Sequence, residues 1–154
     1  MGGGATYALL RDDGPAAYPA ALPFAEVTAA RAPFTGFGAA RVAVGDRCRD
    51  LLVAADGATR GTGLRQRTTT APYAGMLFAF PTDIRAGFTM ARVPVPLTIT
   101  WFGADGHPVD RARMEPCPSA SDDECPVYES DRAFRYALEE VAPGSIAPGA
   151  LGSC

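Results

Sequence analysis

The sequence contains no lysine, one histidine, one tryptophan and no long apolar run. Some of these shortages remove a class of function. With no lysine, all 14 basic residues are arginine, which reads as genome composition rather than function. The chain carries 17 acidic residues and a formal charge of −3. General nucleic-acid binding needs a basic surface to displace counterions, so no nucleic-acid partner is expected. No apolar run approaches the ~20 residues that span a bilayer, so no transmembrane segment is expected. A single histidine, His107, rules out multi-histidine metal catalysis, and it would have to serve any Ser–His–Asp or Cys–His arrangement. It sits at the exit of a turn, where an exposed loop residue is the plainer reading. No serine sits in a nucleophile elbow. The glycines Gly57, Gly61 and Gly63 lack the Gly-Lys-Ser/Thr of a phosphate loop. The four cysteines form no Cys-x-x-Cys pair. Neither a cofactor nor a metal is expected.

What is present is punctuation. Fourteen prolines and 17 glycines in 154 residues favour many turns and short strands, and the length suits one domain with a real core. Leu97, Ile99 and Trp101 alternate with Thr98, Thr100 and Phe102, the period of a strand. Asp105-Gly106 then predicts a type I′ hairpin turn, and Pro108 to Met114, rich in charge, predicts a return strand at an edge. Met76 to Phe80 is apolar on both faces and predicts a buried strand that Pro81 stops. Phe88 to Val93 alternates as well and reads as a strand, where Pro94 and Pro96 prevent a regular ladder and mark a crossing or an edge. Arg41–Val44 and Cys48–Ala55 predict a hairpin around Gly45-Asp46-Arg47, and Asp56 is placed to cap a helical turn through Thr62. Ser130 to Val141 fits a helix by Phe134, Leu138 and Val141, and a strand by Phe134, Tyr136 and Leu138.

Several ordered landmarks resemble one family. They are Gly63-Leu64, Gly75-Met76-Leu77-Phe78, Phe88-x-Met90, Pro96-Leu97, Asp105-Gly106, Pro116-Cys117-Pro118 and Arg135-Tyr136-x-Leu138-Glu139. Over about residues 41–149 this succession resembles the family called domain of unknown function 192. The resemblance implies a small, mainly β domain, barrel-like or a rolled antiparallel sheet with one or two short helices at most, often found outside the cytoplasm. It also favours a strand over about Arg135–Glu140. It implies no activity. Where the family usually reads Phe-Trp-Met-Lys-Asn-Thr, this chain has Phe88-Thr89-Met90-Ala91-Arg92-Val93. Where it usually reads Pro-Leu-Asp-Ile, this chain has Pro96-Leu97-Thr98-Ile99. A polar site shared by the family would thus be altered here at Thr89, Ala91, Arg92, Val93 and Thr98. The family's usual short helix and final strand are replaced by residues 142–149 and a short tail, 151–154.

Residues 1–38 read as an Ala-, Pro- and Gly-rich extension before the single domain at 39–150. An irregular segment is the first reading; a strap made by Phe24, Val27, Phe34 and Phe37 is the second. Tyr7-Ala8-Leu9-Leu10 is too short for the apolar part of a signal peptide, and no positive charge precedes it, which points to the cytoplasm. Cys117 and Cys125 point outside it. They flank seven mostly polar residues, and a disulfide there would stabilise by about 2–3 kcal/mol. Two free thiols or a metal site are the other readings. Cys48 and Cys154 are a second pair or leave a free terminal thiol. Asp122, Asp123 and Glu124 read as surface charge, since they lack the spacing of a calcium loop.

Arg60, Arg65 and Arg67, beside Thr68, Thr69 and Thr70, read first as a solvated loop and second as an anion contact. The favoured function is a non-catalytic binding or accessory module for a small anionic or polar ligand. Its groove would lie between the Phe88–Arg92 strand and the Arg65–Thr70 loop. Arg92, Arg65 and Arg67 would donate, with Thr98 as a further polar candidate, and Phe88 and Trp101 would form the apolar wall. The alternative is a small hydrolase-like enzyme using Asp83 and Asp105 or a Cys48 thiolate.

Overall fold

A computed structural model describes residues 21–119 and 121–154. The candidate signal residues Tyr7–Leu10 lie outside the described residues.

One eight-stranded sheet dominates. Its strands are β3 (Thr28–Ala29), β4 (Gly38–Val44), β5 (Arg47–Ala54), β6 (Met76–Ile84), β7 (Leu97–Phe102), β8 (Pro108–Met114), β9 (Phe134–Val141) and β10 (Leu151–Gly152). The order is β10-β4-β5-β6-β9-β7-β8, and β3 also pairs with β4. A separate two-stranded ribbon joins β1 (Ala21–Leu22) to β2 (Ala25–Glu26). The chain is mainly β, as expected, but the sheet is neither all antiparallel nor a barrel. β5 and β6 run parallel, because the long segment 55–75 crosses over between them and carries α1 (Gly57–Thr62). The sheet curls until the Leu151 N–H donates to the Gly106 carbonyl oxygen at 2.8 Å. That contact joins β10 to the β7–β8 turn, not to the β8 ladder, so the sheet stays open.

Both sheet faces are covered, which explains why β7 is buried at all six positions. On one face Leu52, Met76, Phe78, Leu97, Ile99 and Trp101 meet an overlay that includes Phe34, Phe37, Leu64, Phe88 and Met90. On the other, Leu51, Val53, Leu77, Phe102, Tyr136 and Leu138 meet Leu22, Ile146 and Leu151. β9 pairs with both β6 and β7. The strand reading of that segment holds, because its two neighbours satisfy its backbone polar groups on both sides.

Phe34 and Phe37 pack in the core, and Phe24 meets Tyr136 edge to face at 5.4 Å. Residues 24–37 thus include the strap contacts. The C-terminal tail is likewise tied down. β10 pairs with β4, and Cys154 is disulfide-bonded to Cys48.

Three local expectations change. Pro81 does not stop β6; it falls where the β6–β9 register shifts, between Ala79 and Ile84, a bulge that tolerates a missing N–H. The β7–β8 turn has positive φ only at Gly106 (83°) and not at Asp105. It is therefore not type I′. The Gly103 N–H bonds to the His107 carbonyl, the Gly106 N–H bonds to the Gly103 carbonyl, and the register shifts at Trp101/Phe102. This is a turn followed by a glycine bulge. Phe88–Val93 is not a strand. It makes only isolated bridges, Phe88 to Tyr128 and Ala91 to Cys117, since its residues are needed to cover the sheet face rather than to extend it. β8 is an edge strand, as its charge foretold.

Candidate functional site

The residues proposed for one groove separate into two environments. Phe88 and Trp101 are 1% and 0% exposed. Their rings sit 6.3 Å apart, and Phe88 also contacts Phe78 and Phe134. They form core, not a ligand wall. Thr98 is buried as well, and its hydroxyl donates to the Pro143 carbonyl oxygen at 3.4 Å. It shares neither the cleft described below nor the face of Trp101.

The basic cluster also disperses. Arg60 is buried, donates to the carbonyl oxygens of Ala55 and Ala79, and lies over the Phe80 ring. Asp56 caps α1 by accepting from the Thr59 N–H at 2.7 Å, which starts the turn that carries Arg60 inward. Arg67 lies over Phe34, 4.4 Å from the ring centroid, and donates to Pro33 O. That cation–π contact pins the N-terminal strap. Arg65 grips both carboxylate oxygens of Asp122 at 2.9 and 3.1 Å. The pair is mostly shielded from solvent, and it fastens the loop closed by the Cys117–Cys125 disulfide to the segment after α1. The solvated-loop reading fails for all three arginines: each side chain is engaged by the fold.

Arg92 differs. It is exposed, and its guanidinium makes no hydrogen bond or ion pair among the described residues. Its backbone has φ 61°, and Gln66 has φ 62°; among the described residues these are the two non-glycine positions with positive φ. The Gln66 N–H donates to the Arg92 carbonyl oxygen at 2.6 Å. Left-handed backbone costs a non-glycine residue about 1–2 kcal/mol, and such strain concentrates at functional sites.

Both strained residues line a two-lobed cleft. One lobe, about 450 Å³, is bordered by Gly61, Thr62, Arg65, Gln66, Arg92 and Asp122. The other, about 510 Å³, is bordered by Gln66, Arg92, Val93, Pro94, Pro116, Cys117 and Pro118. Gln66 and Arg92 stand where they meet. No local signal marks Gln66, whose residue type does not point to left-handed backbone. Asp122 read as surface charge; only the fold shows it facing Arg65. Pro116-Cys117-Pro118 was visible as a motif, but not as a cleft wall.

The groups named for catalysis do not assemble. Cys48 is in the disulfide with Cys154, Cα–Cα 6.0 Å, and offers no thiolate. Asp83, at the end of β6, is paired with Arg135 at 2.9 Å. Asp105, in the β7–β8 turn, accepts from the His107 N–H, which holds its carboxyl below the ordinary carboxylate range. His107 itself is an exposed turn residue. Among the described residues, no three His, Cys, Asp or Glu side chains are grouped to hold a metal ion, and no helix is long and apolar enough to cross a membrane.

An open mixed sheet, covered on both faces and bearing one arginine-rimmed cleft, defines a small β domain without an assembled catalytic centre among its described residues. The chain belongs to the family DUF192, described as an uncharacterized ACR, whose model matches residues 40–150. A solved protein of unknown function from Novosphingobium aromaticivorans DSM 12444 is similar in fold, with TM-score 0.64 and 21% identity over 81% of this chain and 91% of that one. A second, from Sinorhizobium meliloti 1021, is described as a candidate transcription regulator; it has TM-score 0.58 and 26% identity over 72% of this chain and 90% of that one. Among curated proteins, none matches the chain.

Proposed function

We propose that the protein is a non-catalytic binding module whose ligand, a small anionic or polar molecule, sits in the cleft at Arg92 and Gln66. The observation that carries this reading is the pair of left-handed, mutually hydrogen-bonded residues at the junction of both lobes. Each of the two sits third in a hydrogen-bonded β-turn, closed by the Val93 N–H to the Met90 carbonyl and the Arg67 N–H to the Leu64 carbonyl, and these turns set both residues at the cleft. Thr62 and Gln66 add neutral donors on the same rim, and the guanidinium fork suits an oxyanion. Of the residues first grouped for this role, Arg92 and Arg65 belong to the cleft, Arg65 as its brace through Asp122.

The test is a titration of the full chain with acetate, sulfate and phosphate, followed by amide chemical shifts. The expected result is saturable shifts around Gln66 and Arg92 that vanish in Arg92→Gln while the rest of the spectrum is unchanged. Shifts that survive Arg92→Gln would remove the reading.

A further inference from the structure

We infer that the ligand of this cleft is a monocarboxylate with an apolar tail; the inference rests on the binding reading above and names its chemical class. Three observations carry it. First, among the described residues the cleft offers one cation without a partner, Arg92. Arg65 is matched by Asp122 through both oxygens, so that pair is neutral and leaves the lobe with the single positive charge of Arg92. A single guanidinium suits a monoanion better than a phosphate dianion. Second, the guanidinium is forked and planar, the geometry that two carboxylate oxygens match. Third, the lobe on the other side of Arg92 is poor in donors. Pro94, Pro116 and Pro118 lack backbone N–H groups, and beyond Gln66 and Arg92 at the junction the remaining wall is Val93 and the cross-linked Cys117. A polar tail would lose its hydrogen bonds to water there without replacing them. An alkyl or aryl tail loses nothing and is dried by the wall.

The charge thus lies at the junction and the tail against the prolines. The lobe volumes fall in the range of ordinary small-molecule sites, so a tail of about six to ten carbons is accommodated.

The experiment is calorimetric titration of the full chain with acetate, butyrate, hexanoate and octanoate, with inorganic phosphate and octanol as controls. Binding is expected to strengthen about two- to threefold per methylene from butyrate onward, somewhat below the limit for full burial because the lobe is open. Arg92→Gln should weaken octanoate about tenfold or more. Pro94→Ser, which adds polarity without charge, should weaken octanoate more than acetate. Phosphate binding through Arg92 as tightly as octanoate would overturn the tail and leave the binding module standing. Octanol binding as well as octanoate, or octanoate indifferent to Arg92→Gln, would overturn the carboxylate. Failure of every anion to bind at millimolar concentration would remove both the inference and the reading beneath it.

Discussion

The sheet interior and the cleft rim each hold an ionisable side chain without a partner, and they handle it in opposite ways. Glu139 lies on β9, opposite Met76 on one side and Ile99 on the other, and so faces the same core as Trp101. Among the described residues nothing hydrogen-bonds or pairs with its carboxyl, and burial pushes its pKa up to about 8. There the surroundings change the residue: the acid keeps its proton and stays neutral. At the rim the Arg92 side chain is exposed, and its backbone lies in the left-handed region. A buried polar group adapted to its environment is a matter of packing. An exposed one in left-handed backbone beside a cleft is the feature on which the proposed binding reading rests.

The comparison breaks first if Phe88 and Trp101 belong to the rim after all. Trp101→Ala should cost about 3–5 kcal/mol, as large aromatic-to-alanine changes in cores do. Denaturant melts would show it. A loss below about 1 kcal/mol, with ligand affinity abolished, would return Trp101 to the site.

Glu139 supplies the next test. The unfolded chain loses this proton near the ordinary carboxylate value of 4.5, whereas the native state holds it to about 8. Between those values the native state binds more protons than the unfolded one. Stability therefore falls as pH rises through that window and levels off above it. Glu139→Gln keeps the shape and removes the titration. It should be more stable than wild type at pH 9, on the order of a few kcal/mol, with the difference vanishing near pH 4. A wild-type profile flat from pH 5 to 8 would mean that the carboxylate has found a partner, and the contrast with Arg92 would collapse.

The Cys117–Cys125 loop joins the two regions, since it forms part of the cleft wall and carries Asp122. Replacing both cysteines by serine should cost about 2 kcal/mol by freeing an eight-residue separation in the unfolded chain. It should also weaken any ligand of the proline-lined lobe more than Arg65→Met does, because the wall itself is loosened. Equal stability with or without the bridge would mean that the Arg65–Asp122 pair alone fixes the loop.

What could be read from the residues follows the same division. Period-two alternation located β7, β8 and the β4–β5 hairpin, because alternation is a local consequence of the pleat. The same alternation at Phe88–Val93 misled, because an irregular overlay also buries alternate side chains without a ladder. The parallel β5–β6 pairing and the covering of both faces depend on where a long crossover lands, which no short window reports. At the cleft, Arg92 was legible as a polar departure from the family pattern. Its pairing with Gln66 was not, since two residues 26 positions apart meet only through the fold. Arg65 and Arg67 were seen as donors, yet Asp122 and Phe34 had taken them up.

The smallest effect is the sharpest. If the left-handed backbone at Arg92 exists to present its side chain, glycine there should fold better and bind worse. Glycine adopts φ near 61° without the Cβ penalty, although it also gains freedom in the unfolded chain. The net expectation for Arg92→Gly is stabilisation of about 0.5–1 kcal/mol, with loss of anion binding equal to that of Arg92→Gln. Arg92→Ala loses the guanidinium but keeps the strain, so it should bind as poorly and gain no stability. The pair of variants separates strain from charge. If Arg92→Gly is instead destabilised, the side chain's own packing holds the loop, and the strained geometry is structural rather than a mark of the site.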